Sequence, residues 1–161
     1  MDGTDPRLEL MDDDDPLTRW PTEFFTGLTV DMIAELRRLS KWRFIGPTEF
    51  TLAREYEERS LSRGPVRAVL PGSCKPGIRL GILVVTDEDV VAYGYGPGDT
   101  KESVVVAKEW ISSIDLRWRS VSGRLTIHLH DSGGRHESRI KLEGILATAE
   151  TAERWRSAAL S

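Results

Sequence analysis

Apolar positions along the chain recur first with a period near 3.6 and then with a period of 2, and the change falls close to residue 65. From Thr29 onward, Met32, Leu36 and Leu39 stand at i, i+4 and i+7 with Ile33 beside them, which predicts an amphipathic helix over 30–42. Thr29 offers a capping hydroxyl and Asp31 an acid in the first turn. The other face carries Glu35, Arg37, Arg38 and Lys41, so the stripe is expected to pack on a core, with a membrane- or partner-binding helix as the alternative. Gly46-Pro47 punctuates the pattern. A second helix over 48–60 then turns Phe50, Leu52, Ala53 and Tyr56 inward and sets Glu55 and Arg59 as an i,i+4 ion pair.

Beyond Arg63-Gly64-Pro65, β-branched residues become dense and the chain reads as strands. They are expected over 66–70, ended by Pro71-Gly72, over 78–86, over 90–96 after the tight Asp87-Glu88-Asp89 turn, and over 103–107. In the next, Ile114, Leu116 and Trp118 alternate with Asp115, Arg117 and Arg119, the mark of a half-buried sheet. If Gly133-Gly134 forms a two-residue turn, the register of the following hairpin is fixed. Leu129 then faces Ser138, Ile127 faces Ile140 and Leu125 faces Leu142 on one side, while His130 meets Glu137, His128 meets Arg139 and Thr126 meets Lys141 on the other. A last helix over 148–160 has Thr148 as cap, Glu150 in the first turn and a stripe of Ala149, Ala152, Trp155 and Ala159, with Trp155 as its main anchor.

Composition narrows the classes. The 161 residues with 39% hydrophobic content suffice for one domain and an appendage. No apolar run exceeds four residues, as at 82–85, far short of a membrane span. The opening Met1-Asp2-Gly3-Thr4-Asp5 has neither a basic nor an apolar leader region, so no secretory signal is expected and the cytoplasm is the expected compartment, with membrane association only as the alternative. Cys74 is the single cysteine, which excludes an intramolecular disulfide and a thiolate-rich zinc site; its flanks, 72–77, read as a turn with one lysine and no activating histidine.

The net charge of −4 is unevenly spread: residues 1–20 hold seven acids (Asp2, Asp5, Glu9 and Asp12 to Asp15) against Arg7 and Arg19, which gives −5 and leaves about +1 for the rest. A near-neutral body is not expected to bind nucleic acid nonspecifically. The sequence therefore divides into an acidic segment over 1–20, expected as a mobile tail, a helical N-terminal extension over 21–65, and a sheet domain over 66–161.

About seven strands followed by one helix with an inward Trp, over about 95 residues, resemble the bacterial pleckstrin-homology-like (PH/GRAM-type) families. Gly81-Ile82-Leu83-Val84-Val85-Thr86-Asp87 followed by Val90-Val91-Ala92-Tyr93 is similar to the second and third strands of those families. Glu109-Trp110-Ile111-Ser112-Ser113-Ile114-Asp115-Leu116 resembles the entry to the central strand, and Gly123-Arg124-Leu125-Thr126-Ile127 the next one. The resemblance covers the last 60% or so of the chain. It implies an α+β fold, an antiparallel sandwich or partly open barrel capped by the C-terminal helix. It also implies an adaptor that binds protein segments, membranes or phosphoinositide headgroups without chemistry.

No catalytic pattern contradicts that implication. Gly94-Tyr95-Gly96-Pro97-Gly98 is glycine-rich but lacks the Lys-Ser/Thr of a phosphate-binding loop and reads as a plain loop. His128 and His130, with His136 across the turn, are the candidate metal ligands. Alternate strand residues stand about 6.6 to 7 Å apart, too far to converge on one ion without leaning together, so a solvated polar face is expected. For a headgroup site the candidates are Arg67, Lys75 and Arg79 on the first strands. Arg117 and Arg119, with Arg124, Arg139 and Lys141, lie at outward strand positions, where isolated charges solvate a sheet face and Arg117 and Arg119 are further candidates for partner contact. The expectation is a non-enzymatic protein-interaction or scaffolding module with a protein partner and no cofactor. Peripheral binding of anionic lipid is the alternative, and an enzyme or metal-binding protein ranks below both.

Overall fold

The computed structural model describes residues 20–41, 44–59, 64–75, 77–130 and 137–161. Three helices and seven strands follow in the order α1 (Val30–Ser40), α2 (Pro47–Glu58), β1 (Ala68–Lys75), β2 (Ile78–Val85), β3 (Asp89–Tyr95), β4 (Lys101–Ala107), β5 (Ile111–Arg119), β6 (Ser122–His130), β7 (Glu137–Leu146) and α3 (Ala149–Leu160). The helix starts obey the capping chemistry read from the sequence. Thr29 Oγ1 accepts the Met32 amide at 3.2 Å, and Thr148 Oγ1 accepts that of Thr151 at 3.1 Å. At α2 the first residue is Pro47, and the Glu49 carboxylate reaches back to accept the Gly46 amide at 3.2 Å.

The strands form one antiparallel sheet in the order β4-β3-β2-β1-β7-β6-β5, which is not closed. Helix α3 touches β5 as well as β1 and β2. In a flat sheet β2 and β5 would lie four strand spacings, about 19 Å, apart. The sheet therefore bends around α3, an α+β sandwich-like arrangement. Trp155 is fully buried inside the bend and donates its indole N–H to the Leu83 carbonyl at 3.0 Å. Arg156 Nε donates to the Ile114 carbonyl at 2.8 Å, so adjacent residues of one helix grip the two halves of the sheet.

From Gly81 to Val85 on β2 and from Asp89 to Gly94 on β3, both faces are buried. Leu83 and Ala92 turn toward the inside of the bend; Ile82, Val84, Val91 and Tyr93 share the outer face. Helices α1 and α2 cover that outer face, α1 against β1 and α2 against β2 and β3. Their apolar stripes join the sheet in a single core. Ahead of α1 a 3-10 turn, Thr22–Phe25, brings Trp20, Phe24 and Phe25 onto Phe50, with ring centroids 5.0 to 5.7 Å apart. Helix α1 is also fastened to α3: Arg154 donates from Nη1 and Nη2 to the buried Glu35 carboxylate at 2.6 and 2.8 Å, and from Nη2 to the Arg67 carbonyl at 3.0 Å.

Five expectations are corrected. Strand β1 does not end at Pro71-Gly72 but runs on to Lys75, because Ala68–Gly72 has only β2 as a ladder neighbour and β7 joins at Ser73. A proline is tolerated in such an edge-like position. Cys74 is consequently a buried strand residue opposite Leu142 and not part of a turn. Glu55 makes no close ion pair with Arg59, whose charge acts on it only from a distance: its carboxylate accepts from the Tyr93 hydroxyl at 2.9 Å and from Lys101 Nζ, while the Arg59 guanidinium lies over the Tyr93 ring. Ala149 is exposed, and Gly94 and Tyr95 belong to β3, as the strand expected over 90–96 has it and against the loop reading of 94–98.

Candidate interaction surface

Beyond β4 at one edge, where Val105 is exposed, the outer face that α1 and α2 leave uncovered is built by β7, β6 and β5. Alternation decides what stands there. Ile114, Leu125, Ile127 and Leu142 turn into the bend, so their neighbours turn out. The predicted hairpin register is found pair for pair from Leu125–Leu142 to His130–Glu137, whereas the turn at 131–136, and His136 with it, lies outside the described residues. So do the acidic segment 1–19 and the expected helix ends at Trp42 and Ser60.

Strand pairing gathers the outward cations. Arg117 is directly opposite Arg124, and Lys141 is flanked by Thr126 on β6 and Lys75 on β1. Arg139 lies opposite His128 and Arg119 opposite Ser122. Lys75, expected with Arg67 and Arg79, thus joins the other set through the β1–β7 ladder. Six cations share the face with Asp115 and Glu143, and Glu137 holds the register position opposite His130, which gives six minus three, or +3. Lys75 pairs with Glu143 at 3.0 Å; among the described residues Arg117, Arg119, Arg124, Arg139 and Lys141 make no ion pair. The hydrogen bond and charge of Lys75 hold the Glu143 carboxyl below its usual range, with Lys141 and Arg124 adding to the effect. At the hairpin end Leu146, opposite Ser122 and hence on this face, is 45% exposed, and Val121 beside it is 49% exposed.

The remaining candidates are dispersed. Arg67 precedes β1, at the opposite end of that strand from Lys75, and pairs with Asp87 at 2.6 Å. Arg79 pairs with Asp99. These three cations do not form one cradle. His128 Nε2 is 2.8 Å from the Asp115 carboxylate, and His130 lies against the Trp110 ring, with centroids 6.2 Å apart. No group of three or more metal-ligating side chains occurs among the described residues. Burial pushes the Cys74 thiol up to about 11, which leaves almost no thiolate near neutrality. No helix among the described residues is long and apolar enough to cross a membrane.

No protein-family model matches the chain, and no curated protein matches it. Among solved structures the chain is similar to the C-terminal domain of an unknown protein from Leishmania infantum, with a TM-score of 0.44, 13% identity, and coverage of 64% of this chain and 91% of that one. It is also similar to a chain described as Vav1 inhibited by an allosteric inhibitor, with a TM-score of 0.38, 12% identity, and coverage of 87% of this chain and 36% of that one. Both TM-scores are below 0.5, and neither likeness assigns a family or an activity to this chain.

Proposed function

We propose that this protein is a non-enzymatic binding module of PH-like architecture that receives an acidic polypeptide segment on the outer face of β5, β6 and β7. Seven antiparallel strands followed by one helix inside the bend support the architecture. A single observation carries the binding reading: two like-charged pairs, Arg117–Arg124 and Lys75–Lys141, stand directly opposite one another on one exposed face. Directly opposed like charges destabilise a sheet, and a face kept only for solubility is served as well by alternating signs. A rule of local stability broken twice on one face is the signature of a surface kept for a ligand.

Polypeptide is favoured over membrane by the arrangement of charge. Asp115 and Glu143 break the cations into separate spots, and the body carries only about +1, so attraction to a lipid plane is small. Four of the six cations are arginines, whose planar donors match carboxylates two at a time. Fluorescence anisotropy with a labelled polyglutamate peptide tests the reading. Arg117→Glu combined with Arg124→Glu is expected to weaken binding at least about tenfold, since like charges brought together across an interface cost several kcal/mol. Equal affinity of variant and wild type refutes it. Failure of the peptide to bind, with flotation on phosphatidylserine vesicles, replaces it with the membrane alternative.

A further inference from the structure

We infer that this protein self-associates through the free edge of β4, two copies pairing their β4 strands antiparallel about Val105 so that their sheets run on as one. The inference is independent of the proposed binding face, which is built from other strands. The sheet order ends in β4 on one side and in β5 on the other, and the two edges differ in how they are guarded. β5 carries a register irregularity between Ile111 and Ser113 and the charges of Asp115, Arg117 and Arg119 along its length, the ordinary defences of an exposed edge. β4 runs beside β3 without interruption from Lys101 to Ala107, and its stretch Ser103-Val104-Val105-Val106-Ala107 holds no charge, proline, glycine or bulge. Val105, at the middle of that stretch, is 52% exposed.

The ladder with β3 decides which backbone groups of β4 are free. The Gly96 amide donates to the Thr100 carbonyl at 2.7 Å and the Lys108 amide to the Glu88 carbonyl at 2.9 Å, at the two ends of an unshifted register. Hydrogen-bonded pairs recur at every second residue of an antiparallel ladder, so Glu102, Val104 and Val106 turn their amides and carbonyls toward β3. Ser103, Val105 and Ala107 turn theirs to the open side, where no strand among the described residues receives them.

A second copy of β4 offers the same spacing in return, and one register fits both backbone and side chains. In a two-fold pair each contact is made twice with the roles exchanged, so the strand must complement itself. With Val105 on the axis, Ser103 and Ala107 of one copy stand opposite Ala107 and Ser103 of the other, and the free amides and carbonyls of all these residues pair. Between them Val104 meets Val106 and Glu102 meets Lys108, at the closer separation of pairs that are not hydrogen-bonded to each other. Glu102 is exposed and Lys108 half-buried, and among the described residues neither is in an ion pair. An acid at one end of the edge and a base at the other is what commits it to a second copy. A register centred on Val104 instead sets Glu102 against Val106 and Lys101 against Ala107, and forms no ion pair.

Sedimentation velocity of the full chain from about 10 µM to about 1 mM tests this, the range in which an interface of less than about 1,200 Å² associates. The wild type is expected to pass from monomer to dimer, with the amides of Ser103, Val105 and Ala107 slowing their hydrogen exchange as the concentration rises. Val105→Lys, a charge at an exposed site on the edge, is expected to raise the dissociation constant at least about tenfold. Glu102→Lys and Lys108→Glu, each of which sets like charges opposite one another twice, are expected to do the same, and the two changes in one chain to return the constant to within about threefold of the wild type. A chain that stays monomeric throughout, or a dimer in which the Ser103, Val105 and Ala107 amides exchange as in the monomer, overturns the inference. Dimers indifferent to Val105→Lys or to the single charge reversals overturn it as well.

Discussion

Replacing Arg154 by Leu breaks the contact that fastens the N-terminal helices to the C-terminal one, across 119 residues of sequence. Glu35 is only 5% exposed and takes two hydrogen bonds from that guanidinium; its other partner is Arg38 Nε at 3.4 Å. Removing one partner of a fully buried ion pair costs about 3 to 5 kcal/mol because the other charge stays buried. The Arg154 side chain is 36% exposed, so water enters to solvate part of the orphaned carboxylate and the expected loss is nearer about 2 to 3 kcal/mol. In a chain of this size that corresponds to a fall of about 4 to 12 °C in melting temperature. Glu35→Leu alone is expected to cost about as much, whereas the double variant replaces the pair by packed apolar side chains and loses less than the two singles together, by about 2 kcal/mol. Urea denaturation of the four proteins measures this. Additive losses, or single losses below about 0.5 kcal/mol, would show that Glu35 and Arg154 do not act as a pair and that α1 is held by apolar contact alone.

Trp155→Ala empties the largest fully buried side-chain site and removes the indole bond to the Leu83 carbonyl, and is expected to destabilise the protein by about 3 to 5 kcal/mol in thermal melting; an unchanged midpoint would mean that α3 is not what the sheet bends around. Burial pushes the Glu55 carboxyl up, but hydrogen bonds from Lys101 and Tyr93 and the charges of Lys101 and Arg59 outweigh it and leave the pKa below the usual 4.5. A folded-state pKa lowered in this way gives stability that is present above the unfolded value and is lost as pH falls through the folded one. Glu55→Gln is therefore expected to cost about 1 to 2 kcal/mol at neutral pH, with the two urea midpoints converging below about pH 4, and a gap that persists at acid pH refutes the assignment.

Short-range chemistry was legible in the sequence and long-range pairing was not. The β6–β7 register follows from the alternation of Leu125, Ile127 and Leu129 against Ile140 and Leu142, because a slip by one residue would turn every core side chain to solvent. Thr29 and Thr148 announce their helices because a capping hydroxyl acts within three residues of itself. Pro71-Gly72 misled for a physical reason: proline forbids a ladder bond on one side only, and nothing local to 71 tells that β7 stops short of it. Glu55 paired with Lys101 rather than with Arg59 because a partly buried carboxylate is better satisfied by a neighbouring element, with the Tyr93 hydroxyl to help, than by an exposed turn of its own helix. The charged face was half legible. Arg117, Arg119, Arg124, Arg139 and Lys141 are evident as outward residues, but Lys75 joins them only through a ladder between strands some 66 positions apart in sequence.

The division of the outer face ties the architecture to the proposed binding surface. On β2 and β3 the outward residues Ile82, Val84, Val91 and Tyr93 are as apolar as the inward ones, and left bare they would form a broad sticky patch. Helices α1 and α2 bury it, and their hold is made specific by the pairs Glu35–Arg154 and Glu55–Lys101. On β5, β6 and β7 the outward positions are mostly Arg, Lys, His, Thr, Asp and Glu, which need no cover, with Leu146 at the hairpin end as the apolar exception. The same sheet therefore recruits the chain that precedes it over one half and repels apolar cover from the other. The partner proposed for the second half is accordingly one that brings negative charge.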